Sequence, residues 1–219
     1  MFGRRDLWFA AAMLGLGAAS AHNDLWITSE AIENPGGGQD QLANVAQPFG
    51  NTGLVLPALL LAYGGARFTG HRELAISVSR MGISIGTAGA VTLMLKEAVG
   101  RSRPTESPTS ADVFHPFSGH ASFPSGHATL AFATAAALDH ETSSRWVPLI
   151  AYPLAAVVGW SRVRDQEHWT SDVLAGAAIG VWTVDKVEHF MRRPTPDRPV
   201  GLMLDPRPGD MRAGLAFRF

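Results

Sequence analysis

The sequence predicts an all-α protein, a bundle of about five to six helices with a small C-terminal β-hairpin. Three observations carry this reading. Long stretches rich in Ala, Leu, Gly and Val run between Gly, Pro and polar clusters. Strand-like alternation is confined to the tail, and the 219 residues, 46% of them hydrophobic, suffice for one sizeable core. Cysteine is absent, so packing must hold the fold without disulfides, and a thiolate metal site is excluded. A formal net charge of −1 gives no bulk attraction to nucleic acid or to an anionic membrane surface, so any anion binding must be local.

The elements follow in order. Arg4 and Arg5, the apolar run from Leu7 to Ala18 and the small-residue triplet Ala19-Ser20-Ala21 read as a signal peptide over 1–21, with an uncleaved membrane anchor as the alternative. His22 to Gly38 is polar, ends in Pro35-Gly36-Gly37-Gly38, and is expected to form an irregular arm. Helices are expected over about Gln39 to Ala66, Arg72 to Val99, Ser125 to Asp139, Ser144 to Trp160 and Glu167 to Arg192. Between the second and third lies Arg103 to Phe123, rich in Pro, Ser and Thr, a loop of the length that in compact domains usually carries function. Val200, Leu202 and Leu204, the turn Asp205 to Asp210, then Leu215, Phe217 and Phe219 read as a hairpin packed on the bundle. The expected division is therefore 1–21 signal, 22–197 helical domain and 198–219 hairpin.

Three segments carry chemistry. The chain has two lysines, and one of them, Lys96, ends an apolar helix six residues before Arg103-Pro104. An ammonium and a guanidinium there can both reach a phosphate, one as a point charge and one as a bidentate fork. Pro124-Ser125-Gly126-His127 opens a helix, where free backbone N–H groups and the dipole favour an anion. Ser125 can cap the helix or bind oxygen, Gly126 permits close approach, and His127 can protonate a leaving oxygen. Ser161-Arg162 precedes His168 and Asp172, a spacing of four that places the last two on one helix face, with the carboxylate orienting the imidazole for attack. Together these supply what metal-free phosphoryl transfer needs, namely charge stabilisation and positioning.

These segments resemble the three motifs of the superfamily that holds type-2 phosphatidic acid phosphatases, bacterial class A acid phosphatases and vanadium haloperoxidases. The resemblance runs from about Lys96 to Asp172, and that family's helical bundle suits the surrounding stretches. It implies a phosphohistidine mechanism: Lys96, Arg103, Ser125, Gly126 and Arg162 hold the phosphate, His168 attacks, Asp172 orients it, and His127 is the acid and then the base. No metal or cofactor is implied; vanadate enters as an inhibitor or, in a haloperoxidase, as cofactor. A catalytically dead envelope scaffold is disfavoured, because none of these positions is substituted. Outside the motifs, His115 and His120 are expected in loop packing or solvent, His22, His71, His140 and His189 at the surface, Glu167 as a modest influence on the local field, and Trp169 behind the site.

The substrate is then a phosphorylated small molecule or a lipid phosphate, hydrolysed by an exported protein, periplasmic or membrane-associated. Uncharged runs of about 12 to 17 residues and a mean hydropathy near zero tilt the expectation slightly towards a periplasmic enzyme acting on monoesters. A membrane-embedded phosphatase of lipid phosphates or isoprenyl diphosphates is the alternative, since the helices lack the polar outer faces of a soluble bundle.

Overall fold

A computed structural model describes residues 20–31, 45–192 and the backbone of 200–207 and 210–217. Six α-helices make up the fold among the described residues. A first helix, α1, covers 20–31. A 3-10 turn at Gln47–Gly50 leads into α2, Thr52–Phe68, whose N-cap Asn51 accepts from the Gly53 N–H at 2.8 Å. Then come α3 (Arg72–Val99), α4 (Gly126–Glu141), α5 (Trp146–Arg164) and α6 (Thr170–Met191). The last four agree with the predicted helices to within a few residues.

α4 is the central element and touches α3, α5, α6 and the 3-10 turn. Its composition explains this: Ala128, Ala131, Ala133, Ala135, Ala136 and Ala137 are buried on several sides, so neighbouring helices approach closely all round. α6 comes nearest. A Cβ on Gly176 would lie 2.5 Å from the Ser125 carbonyl oxygen, and one on Gly180 would lie 2.5 Å from the Thr129 carbonyl oxygen. Small residues four apart thus let two backbones meet, as in tightly packed membrane helices. Met81, Ile85, Leu130 and Val184 fill the space between α3, α4 and α6.

Helices α3 to α6 run alternately up and down, so the end of α3, the start of α4, the end of α5 and the start of α6 gather at one end of the bundle. At the other end Arg80 on α3 makes a two-pronged pair with Glu141 on α4 at 2.8 Å, and Arg192 bonds the same carboxylate at 2.5 Å. Arg192 also reaches buried Glu188 at 3.3 Å. That network fastens three helices far from the predicted motifs.

Three expectations need correction. The arm expected from His22 is helical as far as residue 31, with Ser20, Asp24, Thr28 and Ala31 buried along one face while Leu25 and Trp26 point outward. Its buried stripe is polar, so no apolar periodicity announced it. The single helix expected from Gln39 is broken by the 3-10 turn and by extended Asn51. The hairpin expected at 198–219 is unsupported as part of the fold: Val200–Arg207 and Asp210–Phe217 run antiparallel, but their side chains lie outside the described residues and the architecture is all-α. The signal expected at 1–21 also lies outside them, apart from Ser20 and Ala21, which belong to α1.

Among the described residues two helices, α3 and α5, are long and apolar enough to cross a membrane, and only 33% and 28% of their apolar windows are buried. A soluble core helix would be mostly buried. At 28 residues, α3 is about 42 Å long, more than a bilayer core requires. Leu60 and Leu61 on α2, Leu93 and Met94 on α3, and Leu149 and Ile150 on α5 are all more than half exposed.

Candidate active site

The end of the bundle where α3, α4, α5 and α6 meet holds every residue the motifs singled out. Lys96 lies in the last turn of α3, which stops at Gly100 in the left-handed region, φ 58°. A Cβ there would fall 1.9 Å from the His115 carbonyl oxygen, so this position requires glycine. The loop that follows is ordered by its own backbone: Ser102 donates to the Val113 carbonyl at 3.0 Å, His115 to Gly100 at 2.7 Å and Ser122 to Arg101 at 3.0 Å. Lys96 Nζ bonds the Ala121 carbonyl and its Cε borders Gly126, 3.7 Å from where a Cβ would sit. The first and second motifs are therefore neighbours.

Ser125 is fully buried and caps α4, its Oγ accepting from the Ala128 N–H at 3.4 Å. Capping is one of the two uses the sequence allowed. Half-buried His127 in the same turn feels the charges of Arg162, Glu167 and Lys96 and the ring of His168. The Ser125 N–H donates to the Asp172 carbonyl at 3.0 Å, tying the start of α4 to the start of α6.

His168 and Asp172 do not share a helix face. His168 lies in the turn before α6, a turn made by Gln166 at φ 56°, and its N–H donates to the Arg162 carbonyl at 3.2 Å. Asp172 occupies the third position of α6, where its Oδ2 accepts from the Trp169 N–H at 2.9 Å. A carboxylate there satisfies one of the helix's open N–H groups, which is why chain direction changes between the two residues. His168 Nδ1 stands 3.8 Å from Asp172 Oδ2, is buried, and has no hydrogen-bond partner among the described residues. The pair is an electrostatic contact, not a hydrogen bond. Burial pushes the His168 imidazole below its ordinary value, with Asp172 opposing that shift and Lys96 and Arg103 adding to it.

The cations are engaged by groups of the protein itself. Arg103 pairs with Glu167, and Arg162 with Asp165 at 2.7 Å. Glu106 accepts from the Arg103 N–H at 2.9 Å and from His120 at the same distance. Hydrogen bonding to that Arg103 N–H holds the Glu106 carboxyl below its usual range, His120 assisting. Glu167 thus does more than the sequence led one to expect, whereas His120 takes part in loop packing and Trp169 packs behind the site as expected, the latter 1% exposed with its indole N–H on the Ser102 carbonyl at 2.9 Å.

Sequence reasoning missed the group that holds Asp172. Arg101, 3% exposed, donates to Asp172 Oδ1 at 2.6 Å and to Asp24 Oδ2 at 2.9 Å, and Ser122 donates to Asp172 Oδ2 at 2.5 Å. The one available signal was a second arginine so close behind Lys96 in a chain with few lysines.

The pattern that defines the PAP2 superfamily matches residues 77–193, more than half of the chain. The chain belongs to the PAP2 superfamily. A lipid A 1-phosphatase of Rhizobium etli is 41% identical over 106 residues, which cover 43% of this PAP2 chain and 42% of the relative. An undecaprenyl-diphosphatase of Sulfolobus acidocaldarius is 30% identical over 107 residues, 47% of this chain and 52% of that one. The chain thus spans about half the length of these curated relatives, or less. The fold is that of a transmembrane PAP2-type phosphatidylglycerolphosphate phosphatase from Bacillus subtilis, with a TM-score of 0.66 and 23% identity over 88% of this chain and 98% of that one.

Proposed function

We propose that this PAP2 chain is a membrane-embedded phosphatase of lipid phosphates, working through a phosphohistidine at His168. The observation that carries the reading is where the site lies: cations, a helix N-terminus and a buried histidine beside a carboxylate, all at one end of helices whose outer faces expose leucine. A lipid whose headgroup lies at the bilayer surface can reach such a site while its chains stay in the membrane. The relatives act on lipid A and on undecaprenyl diphosphate, according to their names, and a lipid phosphate or diphosphate of that kind is the substrate class proposed here.

This reading replaces the slight preference for a soluble periplasmic enzyme. The uncharged runs that suggested short core helices are interrupted by residues such as Arg80, which sits inside α3 without ending it, so run length understated helix length. A site facing the periplasm, with phosphatase machinery over 22–197, a leader or anchor at 1–21 and a tail at 198–219, belongs to the same proposal. The contact of Asp24 with Arg101 supports counting α1 with the phosphatase machinery.

The mechanism follows from the side chains. Lys96, Arg103 and Arg162, with the Gly126 N–H, bind the phosphoryl oxygens, which requires Arg103 and Arg162 to leave their carboxylate partners. Neutral His168 attacks with Nε2, forming the N–P bond as the P–O bond to the lipid breaks, and His127 gives its proton to the departing oxygen. Nδ1 keeps its proton and faces Asp172, whose charge stabilises the positive ring that forms. His127, now neutral, takes a proton from water, the oxygen attacks phosphorus, and His168 is released with inorganic phosphate. The cations and the start of α4 supply the charge stabilisation that phosphoryl transfer depends on.

The test is phosphate release by the full chain in detergent, with excess chelator, from phosphatidic acid, undecaprenyl diphosphate, lipid A and p-nitrophenyl phosphate, alongside His168→Ala. Release from at least one lipid, lost in the variant and retained in chelator, is expected. Release confined to the soluble monoester would return the protein to the soluble branch, and lipid hydrolysis that survives His168→Ala would overturn the phosphohistidine.

A further inference from the structure

We infer that Asp24 and Arg101, neither of them in the three motifs, are positioning residues for His168 and act on it through Asp172. The inference rests on the reading of His168 as nucleophile. Asp24 and Asp172 are fully buried and Arg101 is 3% exposed, so two carboxylates and one guanidinium share a site without water. Such a group is expensive to bury and is strongly destabilising to break, so its geometry is held firmly.

The group is built on the start of α6. The N-cap of that helix is Trp169, whose indole has no acceptor to offer. Asp24, reaching over from α1, does the capping instead: its Oδ1 accepts from the Ser171 N–H at 2.9 Å, and its Oδ2 accepts from Ser171 Oγ at 2.5 Å. The same Oδ2 takes Arg101 Nη2 at 2.9 Å, while Arg101 Nη1 bonds Ser171 Oγ at 2.7 Å and Asp172 Oδ1 at 2.6 Å. Arg101 Nε donates to the Ala111 carbonyl at 2.9 Å, and its guanidinium lies 5.6 Å from the ring centre of Trp169 and 5.7 Å from that of Phe114. With Ser122 and the Trp169 N–H on Oδ2, the plane of the Asp172 carboxylate is fixed from both oxygens. This group therefore fixes the carboxylate side of the 3.8 Å gap to His168 Nδ1.

The charges matter as well. Arg101 alone would neutralise Asp172 and weaken its hold on a positive imidazole ring. Asp24 restores the balance, leaving the three with one net negative charge beside His168. The other charged or titratable groups that act on that ring are Lys96 from α3 and Arg103 from the loop, with His127 from α4 beside it; Arg162 from α5 and Glu167 from the turn before α6 act in turn on His127. Most of them are cations, so the negative charge of this group counts.

Asp24→Asn tests this, because the amide oxygen can still accept from the Ser171 N–H while the charge is gone. In detergent, with the lipid substrate that the wild type turns over, kcat should fall on the order of 10- to 100-fold, the scale of losses from a misplaced reacting group. KM should stay within about twofold, since neither residue is placed to touch phosphate. The acid limb of the pH profile should move to lower pH, because less negative charge destabilises the protonated ring. Ser171→Ala, which leaves no charge unpaired, should lower kcat in the same direction by a smaller factor, and it serves should Asp24→Asn not fold. A folded Asp24→Asn with a lower melting temperature but unchanged kcat and acid limb would overturn the inference and leave Asp24 a cap only. His168→Ala run in parallel separates the two failures: if it keeps activity, the nucleophile is wrong; if it loses activity while both other variants keep theirs, only the positioning role is wrong.

Discussion

Glu167→Gln should strengthen phosphate binding. The Arg103 guanidinium pairs with the Glu167 carboxylate, although Arg103 is one of the cations proposed to hold the phosphoryl oxygens. Substrate and Glu167 then compete for one fork, and substrate binding carries the cost of breaking the pair. The side chains are 37% and 43% exposed, so water and salt screen them, and a pair of this kind is worth about 0.2–1 kcal/mol. Removing it should lower KM for the lipid, and the inhibition constant of inorganic phosphate, by roughly 1.4- to 5-fold.

The assay is inhibition by inorganic phosphate at fixed, low ionic strength, measured for wild type, Glu167→Gln, Arg103→Ala and the double variant. The cycle matters because Glu167 also adjoins His168 and acts on His127, so its loss could change the rate by another route. If competition for Arg103 is the cause, the gain from Glu167→Gln disappears in the Arg103→Ala background and shrinks as salt is added. Phosphate binding that is unchanged or weaker in Glu167→Gln, or a gain that persists without Arg103, would refute the reasoning.

Burial holds the His168 imidazole below its ordinary value of about 6.5, and the attack proposed for it needs the neutral ring. Activity should therefore persist as pH falls past that value and decline only below it; a kcat/KM profile with its acid limb above pH 6.5 would contradict this. Gly180→Ala places a methyl group 2.5 Å from the Thr129 carbonyl and 2.9 Å from the Ala133 nitrogen, both backbone atoms that cannot yield locally. Overpacking of this kind costs about 1–3 kcal/mol, so the variant should melt earlier in detergent than a control such as Gly82→Ala, which meets nothing within 4 Å.

What the sequence made legible was whatever rests on local spacing. α3 was expected from Arg72 to Val99 and ends there because Gly100 is a residue that can turn left-handed. The three motifs were readable because each sits within a few residues of one helix end. Long-range pairing was not readable. Nothing between residues 20 and 31 pointed to Arg101, 77 positions away from Asp24. The face of α1 that meets the protein is Ser20, Asp24, Thr28 and Ala31, and the face turned outward carries Leu25 and Trp26, the reverse of what a soluble amphipathic helix displays. The i,i+4 spacing of His168 and Asp172 was read as a helix face, yet the same spacing also spans a helix start, and Asp172 there bonds the Trp169 N–H. Spacing alone does not distinguish the two.

The order of the motifs along the chain now has a physical reason. Alternating helices bring the C-terminal ends of α3 and α5 and the N-terminal ends of α4 and α6 to one face of the bundle. Cations are favoured at helix C-termini and anions at N-termini, so Lys96 and Arg162 sit where their own helices stabilise them, and the starts of α4 and α6 present N–H groups to negative charge. The two helix starts are used differently. The start of α4 is capped by a neutral hydroxyl, Ser125, which adds no negative charge and suits a site for phosphate. The start of α6 already has two carboxylates, Asp24 and Asp172, bridged by Arg101, and cannot attract a third anion. In the proposed mechanism it serves the nucleophile instead, placing negative charge beside His168 while the cations hold the phosphate. In that mechanism α4 serves phosphate and α6 the positive imidazole of the intermediate, so placing a negative charge at the neutral α4 cap, or removing one from the carboxylates at the start of α6, should disable that half of the reaction.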